Sequence, residues 1–384
     1  MACLGPNPVN GLGWKRRGCS RMIIRLVLSG PEEERAMVPS LSASARGLAV
    51  ALLSALLVIG VAPVTADEGQ GRVIGIKSAT HPDWFKDSFL DITEDAEEAG
   101  MAGKHLILMM EMEGCPYCHK MVDENFANAP YREFIQEHFD VVAINVRGSL
   151  EVQVTADLSM TEREVAEHFG VRFTPTVVFV NPDNEAVAGV QGYRNVEDFR
   201  LVLEFVQEQA YRIMSLNEYV AARRTEEFYA FREHPQFVES DNLAALVDKP
   251  LAVLFEDTGC IACDALHDGH LANPEIQSIL EDLTVVRLDA RSDAPLVDPQ
   301  GNPTTPREWA ESLGIEYRPS FVLFDRGEEV LRIDAMLYSF HFGALLEYVA
   351  GRHFEQYPGD PWAFVNVRMA ELTSMGEDVY IVDE

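Results

Sequence analysis

Short apolar runs, each bounded by polar or turn-forming residues, recur along the chain and set its predicted elements. Leu106 to Met110 is uninterrupted and apolar, too short for a helix and suited to a buried strand. A helical stretch follows, then a second apolar strand, Val141 to Val146, and an insertion from Gly148 to Met160. Thr161, with Glu164 three residues on, makes a capping-box pattern that opens a short helix, and Gly170 closes it. After Thr174-Pro175 the run Thr176-Val177-Val178-Phe179 reads as a strand, Asn181 to Asn184 as a turn, and one more strand follows. A last amphipathic helix starts near Val196, with Phe199, Leu201, Leu203 and Val206 apolar.

The same order recurs further on. LILMMEMEGCPYC (Leu106 to Cys118) matches LAVLFEDTGCIAC (Leu251 to Cys263) at an offset of 145. VVAINV (Val141 to Val146) matches VVRLDA (Val285 to Ala290) at 144, and HFGVRFTPTVVFV (His168 to Val180) matches SLGIEYRPSFVLF (Ser312 to Phe324) at 144. Three matches in one order mean an internal duplication. The second copy has its own insertion, Arg291 to Pro306, its own short helix, Glu308 to Leu313, ending at Gly314, and a last helix near His341. Strand, helix, strand, helix, strand, strand, helix in each copy predicts an α/β protein of two tandem domains, each a mixed central sheet flanked by helices. The predicted boundaries are an upstream segment over 1–66, a first domain over 67–210, a linker over 211–240, and a second domain with a C-terminal tail over 241–384. The charge pattern of the linker suggests mostly helix.

Gly47 to Val61 is an uncharged apolar run, preceded by Arg46 and followed by Ala62-Pro63-Val64-Thr65-Ala66. A basic flank, a short apolar core and small residues at the last and third-last positions predict a secretory signal peptide cleaved after Ala66. As a helix the run spans only about 22 Å against roughly 30 Å of hydrocarbon, so a retained anchor is the weaker reading. Met37 begins a segment that already makes a complete signal peptide, and the true start is expected there. The solitary Cys3 and Cys19 lie upstream of the cleavage site in either case.

Composition narrows the class. Lys and Arg number 31 against 62 Asp and Glu, a formal charge of −31. A nucleic-acid binder that neutralises phosphates would show the opposite balance, so nucleic acid is excluded as a partner. With 47% hydrophobic and 24% charged residues, disorder, collagen and a polytopic membrane protein are also excluded. Six cysteines are too few for a disulfide-built scaffold, but Cys115/Cys118 and Cys260/Cys263 form two CxxC pairs.

A CxxC at the point where a buried strand gives way to a helix puts the first sulfur at the helix N-terminus. Unpaired backbone N–H groups and the helix dipole there favour an anion and lower the thiol pKa. A shift from about 8.5 to about 7 would raise the thiolate fraction at neutral pH from roughly 3% to about half. On this reading Cys115 and Cys260 are nucleophiles, and Cys118 and Cys263, one turn later, resolve the mixed disulfide. The dithiol itself carries two electrons, so no cofactor is needed. Pro175 and Pro319 follow their CxxC motifs by 57 and 56 residues, each opening a strand. A cis bond at each is expected, presenting the backbone of Thr174-Pro175 and Arg318-Pro319 as edges on which an extended substrate docks.

CxxC on a strand-to-helix junction with a later Thr-Pro strand start resembles the thioredoxin superfamily. The first copy is similar to the SoxW-type periplasmic thioredoxins over about His81 to Val206: HPDWFKDSFLDITEDAEEAGMAGK, GCPYCHKM, TEREVAEHFGVRFTPTVVF and GYRNVEDFRLVLEFV. The second copy resembles the family more loosely, through GCIAC, IEYRPSFVLF and YSFHFGALLEYV. The resemblance implies two tandem thioredoxin folds and thiol–disulfide exchange in the periplasm, with a reductase as the favoured direction. It also implies protein or sulfur-compound disulfides as substrates, and reduction by a membrane thiol-electron carrier of the DsbD or CcdA kind.

The chain departs from cytoplasmic thioredoxins, which carry WCGPC and a buried Asp six residues before the first cysteine; Met109 and Leu254 stand there instead. Glu111 and Glu256, four residues before each first cysteine, are candidate proton relays, with a solvated acidic rim as the alternative. Tyr117, between the cysteines, is expected to be exposed and available to substrate. Arg318 puts a positive charge where the first copy has Thr174, which points to a different substrate preference or to a site kept for structure. Trp84, Phe85, Phe89 and Phe173 are expected in the core. Cys115-Pro116-Tyr117-Cys118-His119 also spells the c-type haem attachment motif, so a haem electron-transfer protein is an alternative; Asp264 at the histidine position of the second copy counts against it. No metal site is expected, because Cys118 and Cys260 are too far apart in sequence for a zinc ribbon. A binding or chaperone module with a structural disulfide in the second domain is the remaining alternative.

Overall fold

The computed structural model describes residues 69–224 and 227–383; the predicted signal peptide and the alternative start lie outside them. The first module runs through β1 (Val73–Ile74), α1 (Ile92–Met101), β2 (His105–Glu111), α2 (Pro116–Met121), α3 (Arg132–His138), β3 (Phe139–Asn145), β4 (Glu151–Thr155), β5 (Leu158–Thr161), α4 (Glu162–His168), β6 (Thr176–Val180), β7 (Ala186–Gln191) and α5 (Val196–Gln207). After α6 (Leu216–Arg223) come β8 (Leu251–Glu256), α7 (Cys263–Ala265), α8 (Pro274–Leu280), β9 (Thr284–Asp289), β10 (Leu296–Val297), β11 (Pro303–Thr304), α9 (Pro306–Ser312), β12 (Ser320–Asp325), β13 (Glu328–Ile333), α10 (Ser339–Ala350), α11 (Pro361–Ser374) and β14 (Val379–Tyr380). No helix among the described residues is long and apolar enough to cross a membrane.

Each module has a four-stranded sheet, in the orders β3-β2-β6-β7 and β9-β8-β12-β13. The strand before each CxxC lies in the middle, parallel to one neighbour and antiparallel to the other, so both sheets are mixed. A central strand covered on both faces reads as a near-continuous apolar run, and β2 and β8 do so over Leu106 to Met110 and Leu251 to Phe255, each ending in a glutamate. Alternation divides their side chains between two cores. Ile107 and Met109 face one cluster and Leu106, Leu108 and Met110 the other. In the second module Ala252 and Leu254 join the same cluster as Ile107, while Leu251, Val253 and Phe255 fill a separate one. One continuous core therefore runs through both modules, with each fully buried large side chain contributing about 1.5–3 kcal/mol.

The local signals hold where side chains satisfy backbone donors. Thr161 caps α4 and Glu164 reaches back to its backbone N–H, completing the capping box. Gly170 and Gly314, both at positive φ, end α4 and α9. The two insertions, unassigned from sequence, are small antiparallel hairpins, β4-β5 and β10-β11.

Two expectations are corrected. The linker is helical only in its first half: α6 ends at Arg223, and residues 227–242 run irregularly, with Tyr229 buried beside Cys260 and Cys263. Phe89 is not core but 98% exposed, whereas Trp84, Phe85 and Phe173 do pack on the shared core. The tail has a structural place: α11 packs on α10, β14 pairs with β1, and the Asp383 carboxylate accepts from the Ser339 N–H at the start of α10.

Candidate active site

In the first module β2 delivers the chain to Gly114 at φ +77°, and Cys115 follows as the N-cap of α2. Glycine suits this positive φ, where an added Cβ would also lie 3.2 Å from Ile76, and the Gly114 N–H donates to Ser78 Oγ. Cys115 and Cys118 are joined as a disulfide, and the Cys118 N–H donates to Cys115 Sγ at 3.1 Å. That orphan helix donor is the one that would hold a thiolate. Thr174-Pro175 is cis and lies across from the sulfur, with Thr174 O at 3.6 Å and Thr174 Oγ1 at 3.4 Å from Cys115 Sγ. Glu111 is mostly buried and bonds His81 Nε2 at 2.7 Å. This hydrogen bond raises the His81 pKa, so the imidazolium persists to higher pH and offsets the carboxylate near the cysteines.

The second module repeats the connectivity with different surroundings. Cys260 and Cys263 form a disulfide, and Arg318-Pro319 is cis. The helix begins only at Cys263; Cys260 sits in the preceding turn, its N–H donating to Asp257 O at 3.1 Å. The helix-terminus argument therefore applies to Cys115 and not in the same form to Cys260. Arg318 is turned inward, its Nη1 donating to the carbonyls of Ile315 and Tyr317 and its Nε 3.5 Å from Asp257 Oδ2.

Glu256 is fully buried and is no solvated rim. It accepts from Tyr229 O–H at 3.0 Å and bonds His267 Nε2 at 2.9 Å, while Tyr229 itself packs on both cysteines. His267 and Tyr229 escaped sequence reasoning. His267 follows Cys263 by four residues, one helical turn, a usable signal that the first copy lacks because Val122 stands there. Tyr229 comes from the linker and carried none.

Tyr117 overturns the expectation of exposure. It is buried against the second module, stacked on Tyr338 with ring centroids 4.8 Å apart. Its hydroxyl accepts from the Tyr338 N–H at 2.9 Å and shares a hydrogen bond with His341 Nδ1 at 2.7 Å. Burial pushes the His341 pKa down to about 4, keeping the imidazole neutral and able to accept. The same loop of the second module meets Gly192, where a Cβ would come within 2.3 Å of Ala335, and bonds Arg172 through Asp334. Cys115 and Cys118 are 1% and 0% exposed in this arrangement.

The family described as a thioredoxin-like domain matches residues 92–207 and, a second time, 239–350. No curated protein matches the chain. Among solved structures, a thioredoxin-fold protein from Helicobacter pylori is 24% identical, with TM-score 0.29, over 32% of this chain and 84% of that one. A thioredoxin from Thermus thermophilus is 24% identical, with TM-score 0.25, over 30% and 83%. The oxidised C-terminal domain of DsbD from Neisseria meningitidis is 14% identical, with TM-score 0.22, over 30% and 88%.

Proposed function

We propose that this chain, which belongs to the thioredoxin-like domain family in both its modules, is a tandem thiol–disulfide oxidoreductase that works after export. The observation that carries the reading is the first motif. A cysteine pair is bonded across one helical turn, with an orphan N–H on the first sulfur and the Thr174-Pro175 backbone within 3.6 Å of it. In the reduced form Cys115 attacks a substrate disulfide as thiolate and forms a mixed disulfide. Cys118 then displaces the reduced substrate and closes the bond. Two electrons leave the dithiol and two protons follow them, with no cofactor required. In this reading Glu256, held by Tyr229 and His267, exchanges a proton with the second cysteine pair, and Glu111, bonded to His81, does so with the first; these hydrogen bonds support the assignment.

The basic flank, the apolar run and the Val64-Thr65-Ala66 ending support a periplasmic location, and the SoxW-like stretch His81 to Val206 supports a reductase fed by a membrane thiol carrier of the DsbD or CcdA kind. Burial of Tyr117 under the second module means that a protein substrate reaches Cys115 only when that contact loosens. The test is full-length Cys118→Ala expressed in its native host. A trapped partner disulfide-linked to Cys115 is expected, and an empty trap in oxidising and reducing media alike would refute exchange. A visible haem band in the purified protein would favour the electron-transfer alternative instead.

A further inference from the structure

A cleft of about 690 Å³ opens between α5, α6 and the second cysteine motif, and Cys260 is part of its wall. Its charge is unlike that of the rest of the chain. Asp257, next to the motif, serves two guanidinium groups at once, Arg291 Nη2 and Arg318 Nε, each at 3.5 Å. Neither contact is a hydrogen bond, and the buried Arg318 Nε has no hydrogen-bond partner. Arg194, also in the lining, donates through Nη1 to the carbonyls of Gln191 and Tyr193 and lies over the Tyr317 ring. The carboxyl beside it, Glu316, is pushed up to about 8 by burial and is neutral at pH 7. Arg224 is matched by Asp198, and the other carboxylates, Glu218 and Glu311, are exposed at the outer edge. On the inner wall two guanidinium groups, Arg291 and Arg318, thus share one carboxylate in a chain of net charge −31.

Position adds to charge. A Cβ at Gly259 would lie 2.6 Å from Arg291 Nη2 and 3.4 Å from Arg224 Cδ, so both arginine side chains flank the backbone next to Cys260. Cys260 is only 3% exposed and lines the cleft, so the approach to its sulfur is narrow and suits a small molecule better than a bulky chain.

We propose that this cleft binds small anionic thiols and disulfides, carrying carboxylate or sulfonate groups, and that the second module exchanges electrons with these. The proposal rests on the reading that Cys260–Cys263 is redox-active. In the oxidised protein the thiolate of a bound small thiol attacks Cys260 Sγ, the bond to Cys263 breaks, and Cys263 leaves as thiolate and takes a proton. A second small thiolate attacks the mixed disulfide, releasing the small disulfide and the Cys260 thiolate, which is protonated in turn. Two thiols are oxidised and one protein disulfide is reduced; the reverse reaction uses the same steps. Guanidinium groups attract the anionic substituents and hold the reacting sulfur at the wall.

The test uses the full chain carrying Cys115→Ser and Cys118→Ser, so that only the second pair reacts. The reduced protein is mixed with glutathione disulfide, which is anionic, or with 2-hydroxyethyl disulfide, which is neutral, and oxidation is followed in time. Arg291→Gln is expected to slow the glutathione reaction about fivefold to tenfold more than the neutral one, with Arg291→Lys restoring part of the difference. In the protein with native arginines, rising ionic strength is expected to slow only the anionic reaction. Equal effects on both disulfides, together with salt-independent rates, would overturn the anionic site while leaving exchange intact. Failure of both disulfides to oxidise the pair would overturn the underlying redox reading as well.

Discussion

Tyr117 offers a direct measurement of how strongly the second module guards the first disulfide. Tyr117→Phe keeps the ring and its stacking on Tyr338 but removes one oxygen. That oxygen accepts from the Tyr338 N–H and shares a hydrogen bond with His341 Nδ1, both inside the contact between modules. Leaving a buried donor or acceptor unpaired costs about 1–3 kcal/mol each, so with two bonds lost the docked state should lose about 2–6 kcal/mol. At about 1.4 kcal/mol per factor of ten, the open population rises about 30-fold at the low end and about ten-thousandfold at the high end. In the reduced protein Cys115 reacts with iodoacetamide through that open population. Alkylation of the peptide bearing Cys115, followed by mass mapping, should therefore accelerate by the same factor. An unchanged rate in a variant with native circular dichroism would show that the sulfur is reached without separation of the modules, and the guarding argument would fail.

Other expectations follow from single contacts. Gly192→Ala combines a positive φ with a Cβ 2.3 Å from Ala335, so it should loosen the same contact and lower the melting temperature; an unchanged melt would contradict the close approach. Glu316 has a folded pKa near 8, far above its ordinary value, so the folded state binds the extra proton between those values and its stability falls as pH rises through that window. Glu316→Gln removes this dependence. The gain in denaturant melts should be absent at pH 4, grow through neutral pH and level off above about pH 8, and a gain that shrinks with pH would refute the assignment. Glu256→Gln replaces a fully buried carboxylate held by Tyr229 and His267, and should destabilise by about 1–3 kcal/mol while slowing turnover at Cys260–Cys263. Normal turnover at reduced stability would leave Glu256 a purely structural role.

Local chemistry was legible in the chain itself. Two apolar central strands, each ending in CxxC, the capping box at Thr161 and the X-Pro strand starts follow from short-range rules of burial, capping and turn geometry. These determine both modules and four cysteines without knowledge of distant partners. The tertiary structure alone decided which groups face the sulfurs. Tyr117 looks like a surface residue until His341, 224 residues away, supplies its hydrogen bond, and Tyr229 reaches Cys263 from a segment with no periodicity of its own. Glu111 and Glu256 occupy equivalent positions in sequence, yet one pairs with His81 at a partly open edge and the other is sealed with Tyr229 and His267. The physical reason is range. Periodicity and caps act over one or two turns of chain, whereas burial and charge pairing depend on what the fold brings within a few ångströms.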